Sequence, residues 1–333
     1  QLLFYCHLFA GQIQFLQLIF LDKIHLPHFL KSFLNKNEKE FISHNTNIFN
    51  RNFKTKDNNK IVLFELNESG SNVISYSYLS SVLSKKYNAN VYSFFPRVPR
   101  NNFYKFLWWY RSFFGYKITK LFKSFGSKGL IVPSLKKSMI DESDKIFNEK
   151  INFVKSKDQL ENLTIYGITF GDLVYDYYLN YYKEPQIDIN SSKFRQHFHY
   201  CIKCIVFWKH FMQNNNIKAI NVSHTVYTNA IPLRIAIESG IESFQTNANN
   251  VYRLSKENYF AYLEFKDYRE IFHNLPRSSQ IEGISKAKEK LQSRFSGEVG
   301  VDMSYSKKSA FGDNFSHRLI KKSSNIKILV APH

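Results

Sequence analysis

Asp172 and Asp176 stand four residues apart in YGITFGDLVYDYYLNYY, Tyr166 to Tyr182, among six tyrosines. On a helix that spacing puts both carboxylates on one face, where like charges repel by about 0.2–0.5 kcal/mol unless a cation or a ligand hydroxyl answers them. Part of the pattern reads as a helix entry. The Thr169 hydroxyl would cap a free amide, Gly171 would allow a tight turn, and Asp172 would sit at the positive end of the dipole. Asp176 falls too late for the dipole and calls for another partner. Leu173, Val174, Tyr177, Tyr178 and Tyr181 form one apolar face of the expected helix. Asp172, Tyr175, Asp176 and Leu179 lie on another.

The bulk of the chain bounds what such a pair could serve. Its 333 residues are 44% hydrophobic and 17% aromatic, with 32 Phe and 21 Tyr against 12 Gly. Rings fill the expected core, and glycine-rich phosphate loops are largely excluded. Lys and Arg outnumber Asp and Glu by 46 to 27, a net charge of +19. Such a balance favours an anionic partner: a phospholipid surface, a nucleic acid or a diphosphate. No zinc-finger spacing, aromatic RNA-binding strand motif or helix-turn-helix is present, so nucleic acid is not the expected partner. Cys6, Cys201 and Cys204 form no disulfide framework and suit a reducing compartment. His197, Cys201 and Cys204 share a helix face in HFHYCIKC. Without a second ligand pair they read as a buried face, and neither a metal nor another cofactor is expected.

Alternating strand and helix patterns predict an α/β fold with a parallel sheet flanked by helices. Apolar runs at Ile61–Leu66 and Ala219–Val222 predict its central strands, each followed by a loop and a helix. Further strands are expected in ANVYSFF, GLIVPS, IESFQT and the terminal IKILVAPH. Helices are expected at Val73–Tyr87, Ser191–Asn215, NAIPLRIAIESG and Gln280–Phe295. The aromatic, basic stretch Asn101–Lys123 reads as a helix that packs inside or lies on a membrane. Gln1–Leu21 carries no charge and is followed by Lys23, Lys31 and Lys36. This predicts a helix over 1–34 at an anionic membrane surface or packed on the domain, with residues 35–60 as a polar linker. The expected organisation is residues 1–59 as a membrane-proximal segment and linker, 60–325 as the main domain, and 326–333 as the first strand of another domain. A first residue other than Met and an unpaired terminal strand suggest a fragment. The expected location is cytoplasmic, or peripheral at the inner membrane. In open parallel sheets ligands bind beyond the carboxyl ends of the strands. That rule gathers the loops NESGS, SHTVY and the one leading to Asp172, and with them Glu68, His224 and Asp172.

GITFGDLVYDYYL, VSHTVYTNAIPLRIAIESGI and RFSGEVG followed by SYSKKSAF resemble bacterial capsule and surface-polysaccharide biosynthesis proteins of GT-B glycosyltransferase type. The resemblance runs from about Lys60 to His333. It implies two Rossmann-like domains facing a cleft, with this chain as the N-terminal half and KILVAPH opening the second domain. It implies transfer of a sugar from a nucleotide-sugar donor, held by that second domain, to a glycan or lipid-linked acceptor. The chain alone is then expected to be inactive. Tyr177 and Asn180 depart from the small and basic residues expected beside the aspartates. Glycosyl transfer needs a base for the acceptor hydroxyl and cations for the leaving diphosphate. Asp172 and His224 are the catalytic candidates. Asp176 and Glu68 would bind sugar hydroxyls, Tyr175 and Tyr227 would stack on the ring, and Arg234 would pair with Asp176 or a phosphate. The alternative is a non-catalytic assembly, export or sugar-binding protein for the same polysaccharide.

Overall fold

The computed structural model describes residues 35–52, 59–66, 70–101, 103, 104, 106, 117–246, 250–261 and 267–298. The chain divides into two compact units, Gln1–Ala261 and Tyr262–His333.

The first unit is an α/β fold around a six-stranded, mostly parallel sheet flanked by helices. The run KIVLFE forms β1 (Lys60–Glu65), followed by α1's neighbour in the fold, the serine-rich α2 (Gly70–Tyr87), with α1 itself at Lys36–Asn52. β2 (Asn90–Phe94), α3 (Lys117–Ser124), β3 (Gly129–Ile131), α4 (Lys137–Ile151) and α5 (Lys157–Glu161) come next. A two-stranded hairpin of β4 (Thr164–Ile165) and β5 (Ile168–Thr169) leads into α6 (Gly171–Tyr182) and the long α7 (Ser192–Asn214). β6 (Asn216–Val222), a 3-10 turn (Tyr227–Asn229), α8 (Ala230–Glu238), β7 (Glu242–Thr246) and β8 (Val251–Leu254) complete the unit. Across the sheet the order is β3-β2-β1-β6-β7-β8, parallel except for β8, which runs antiparallel to β7. β1 and β6 are the central parallel neighbours that their apolar runs predict.

Side chains alternate across the strands because the strand period is two. Leu63, Ile220 and Val222 face a core shared with α4, α6, α7 and α8. Val62, Phe64 and Ala219 face the smaller core beneath α2 and α3. α7 carries eleven buried residues, and Ser191 caps it by accepting from the Phe194 amide at 3.1 Å. Cys201, Cys204 and His197 are fully buried on it, as the core reading of HFHYCIKC expects. Burial, aided by the Arg100 cation, lowers the His197 pKa to about 3, so the ring is neutral.

Several elements differ from expectation. Residues 36–52 are helix α1, not linker. Asn35 and Glu38 exchange side-chain-to-amide hydrogen bonds at 2.9 Å in a reciprocal cap. Phe41 and Phe49 of α1 set their rings tilted against Phe125, at 6.1 and 5.0 Å, so this helix belongs with the sheet. Polar residues between its sparse apolar positions disguise the 3.6-residue period. The α4 helix, the β4–β5 hairpin and the short edge strand β8 are additions to the expected elements. Tyr166 and Gly167 turn the hairpin with φ of 55° and 75°, the left-handed pair that a two-residue turn requires. Expected elements over residues 1–34, the greater part of Asn101–Lys123, and residues 326–333 lie outside the described residues.

The second unit contributes α9 (Tyr268–Asn274) and α10 (Arg277–Phe295), both without buried residues among those described. α10 covers the expected Gln280–Phe295 helix.

Gly171 is needed for space rather than for a turn. A Cβ there would lie 1.6 Å from the Leu160 carbonyl oxygen. Gly171→Ala is therefore expected to push α5 from α6 and destabilise the unit by about 3 kcal/mol, read as a lower urea midpoint.

Candidate functional site

The chain adds strands outward from β1 to β3, then crosses back to lay β6 on β1's other side. In open parallel sheets loops diverge at such a reversal and ligands bind beyond the carboxyl ends of the strands there, which here are those of β1 and β6. Polar groups collect there. Glu65, the last residue of β1, is 3% exposed. Its two oxygens accept from the Ser223 amide at 2.6 Å and from the Asn229 side-chain amide at 2.5 Å. Burial raises the Glu65 pKa above the ordinary value by more than the Ser223 amide, the His224 ring and Asn229 lower it. Asn229 also donates to the Ser223 hydroxyl at 3.4 Å, and that oxygen lies 2.8 Å from His224 Nδ1. The His224 ring is exposed. At the neighbouring strand ends Thr246 donates to the Asn221 side-chain oxygen at 2.6 Å. Asn221 Nδ2 and the Thr228 hydroxyl are buried with no partner among the described residues.

α6 borders this edge, packing against the 3-10 turn Tyr227–Asn229. Its entry is fixed by Arg234 of α8, which is 5% exposed. The guanidinium donates to both Asp172 oxygens, at 2.6 and 2.5 Å, and to the Thr169 carbonyl at 2.6 Å. Tyr259 and Phe260 place their rings 5.7 Å from it. This fork corrects two local expectations. The residue before α6 is Phe170 and no side chain caps the helix, so Thr169 contributes its carbonyl and not its hydroxyl. Arg234 binds Asp172 rather than Asp176. Burial, then the charges of Asp172 and Glu161, raise the Asp176 pKa. The repulsion expected between the two aspartates is thus present, and Asp176 has no hydrogen-bond partner among the described residues.

The candidate residues divide accordingly. Arg234 brings Asp172 beside the segment that carries His224, and Tyr227 sits in the intervening turn with φ 59°. Tyr175 and Asp176 lie on the half-buried face of α6, with Lys157 5.0 Å over the Tyr175 ring. Leu173, Val174, Tyr177 and Tyr178 form the buried face that the pattern predicts. Glu68 lies outside the described residues. Sequence reasoning overlooked Glu65, Ser223 and Asn229. The available signal was a glutamate closing the apolar run IVLF, since a charge at a strand's carboxyl end is costly unless it is paired or functional.

The chain matches no protein-family model, no curated protein and no solved structure. Among the described residues no helix is long and apolar enough to cross a membrane.

Two substitutions four residues apart should have opposite signs. Asp172→Asn leaves the buried guanidinium half-paired and should cost roughly 2 kcal/mol, less than for a fully buried pair because Asp172 is partly exposed. Asp176→Asn removes a repelled, partly buried carboxylate and should raise stability at neutral pH by about 0.5 kcal/mol. Parallel urea titrations check both.

Glu65 carries a pH signature. A carboxyl whose folded pKa is raised contributes stability that is full below its unfolded value and is lost as pH rises through the folded value. The Glu65→Gln variant should match the wild type below pH 4.5, the ordinary glutamate value, and become the more stable of the two as pH rises above it. Urea midpoints between pH 4 and 8 give the difference directly.

Proposed function

We propose that this chain is the acceptor-side, Rossmann-like half of a GT-B glycosyltransferase that builds bacterial surface polysaccharide. The observation that carries the reading is the exposed His224 ring, hydrogen-bonded to Ser223 above the buried Glu65 carboxyl, at the reversal point of the sheet. A ring whose Nδ1–H donates to Ser223 keeps Nε2 as a proton acceptor. The serine oxygen can receive both that bond and the one from Asn229. In this reading His224 takes the proton from the acceptor hydroxyl, and Ser223, whose amide is held by Glu65, orients the ring. Asp172, with both oxygens held by Arg234, becomes a positioning residue rather than a second base. Asp176 and Tyr175 remain for hydroxyls and the ring face of a glycan or lipid-linked acceptor, with Tyr227 beside them. The donor is a nucleotide sugar held by the second half of the enzyme, and the chemistry requires no cofactor from this half. The location that fits is the cytoplasmic side of the inner membrane.

The occupation of Asp172 favours a second reading, a sugar-binding assembly or export protein without catalysis. One set of measurements separates them. The purified chain is titrated with surface-polysaccharide oligosaccharides, and the enzyme that joins it to the second half is incubated with labelled nucleotide sugars and bacterial membranes as the acceptor source. Saturable glycan binding, weakened about tenfold by Tyr227→Ala, together with label transfer lost in His224→Ala at unchanged melting temperature, supports the transferase. Glycan binding without transfer supports the second reading. Salt-sensitive binding of duplex DNA with no glycan bound overturns both.

A further inference from the structure

A cavity of about 500 Å³ lies on the same strand edge but under different loops, those that follow β2 and β3. Arg100 and Ser134 come from the two loops, and Gln196, His199, Tyr200 and Lys203 from one face of α7. None of the Asp172, His224 or Arg234 candidates lines it. The volume is that of a small-molecule site.

Its walls are held before any ligand arrives. Trp208 donates to the Pro96 carbonyl at 2.7 Å and Tyr200 to the Val98 carbonyl at 2.9 Å, so α7 fixes the path of the loop after β2. The Arg100 guanidinium lies 4.3 Å from the Tyr181 ring and 4.1 Å from the Tyr200 ring. Its Nη2 donates to the Tyr177 hydroxyl at 3.5 Å, and the stacking leaves the remaining N–H groups of the guanidinium edge for a ligand.

The charge of the cavity is one-sided. Among the described residues Arg100 and Lys203 line it and no carboxylate does. Neither pairs with an acid among the described residues, and the adjacent Arg97 reaches only the Tyr177 hydroxyl, at 3.3 Å. His199 bonds Asp144 at 2.7 Å, which holds the ring in place at the cavity wall. Ring stacking accounts for the position of Arg100 without an anion. It does not account for Lys203 and His199 converging on the same space, with the neutral donors Gln196 and Ser134 beside them. With Asp144 taken up by His199, the Arg100 and Lys203 charges repel one another, and an anion of two or more charges removes that repulsion.

We infer that this cavity is a second ligand site, which takes the phosphate or diphosphate group of a small phosphorylated molecule. Arg100 would bind the oxygens through its free edge, Lys203 as a point charge and Gln196 and Ser134 through neutral hydrogen bonds. The inference does not depend on the glycosyltransferase reading.

The test is calorimetric titration of the purified chain at fixed ionic strength with inorganic phosphate, pyrophosphate and a hexose 1-phosphate, with chloride as the control. A second arm uses co-sedimentation with phosphatidylglycerol vesicles. Saturable 1:1 binding of pyrophosphate or the sugar phosphate is expected, weakened about tenfold by Lys203→Gln, the loss of one charge-assisted hydrogen bond. Arg100→Gln should weaken it further. Lys203→Gln is the decisive variant because Lys203 takes no part in the ring stack, so its melting temperature should stay at the wild-type value. His224→Ala should bind as tightly as the wild type, which separates this site from the other crevice. Soluble ligand binding assigns the phosphate to a small molecule, whereas vesicle binding alone, lost in Lys203→Gln, assigns it to a lipid headgroup. No saturable binding in either arm, or binding untouched by Lys203→Gln and Arg100→Gln, overturns the inference.

Discussion

The Arg234 guanidinium is buried, permanently charged and hydrogen-bonded on one side to the carbonyl that ends the β4–β5 hairpin and on the other to the first acid of α6. An unpaired charge at that depth would be prohibitive, so the chain must bring Asp172 and Thr169 to it. That demand fixes where α6 begins, and much else follows from α6. Its buried face meets α7, placing Tyr177 and Tyr181 against the arginines of the loop after β2. Its opposite face presents Tyr175 and Asp176 at the sheet's edge. One ion pair therefore orients both the crevice beside His224 and the walls of the second cavity.

Space acts together with charge at this junction. The backbone of Gly171 passes so close to Leu160 that no side chain fits. α5 is thereby pressed onto the first turn of α6, and Glu161 comes near enough to Asp176 to raise its pKa. The Asp172–Asp176 pair consequently has unequal members. One is neutralised by a fixed cation, and the other is left half-buried beside like charges. Asp176 is thus the member with capacity to accept from a ligand hydroxyl.

Much of the sheet was legible in the sequence because a strand buried on both faces writes a near-continuous apolar run, as IVLF does and as AINV does but for Asn221. The helices read from their period were legible for the same reason, with α7 the strongest case. α1 was not, since a helix that covers a core with two phenylalanines among Asn, Lys and Glu carries a weak period. At the site, the rule that ligands gather at strand ends already grouped the loop leading to Asp172 with SHTVY, and α6 does pack on the Tyr227–Asn229 turn. The pairing of Arg234 with Asp172 instead of Asp176 could not. It depends on which carboxylate the hairpin and the Leu160 contact bring to α8, a tertiary distance that residue spacing does not encode.

Glu65 shows a different limit. Its chemistry was visible as an acid ending an apolar run, but its significance comes from depth and partners. On an exposed loop a glutamate is a solvated charge. At the buried end of β1, with the Ser223 amide and Asn229 aimed at it, burial raises the pKa of the same group against the pull of its donors. Desolvation disfavours the charge, and two donors with a nearby imidazole favour it.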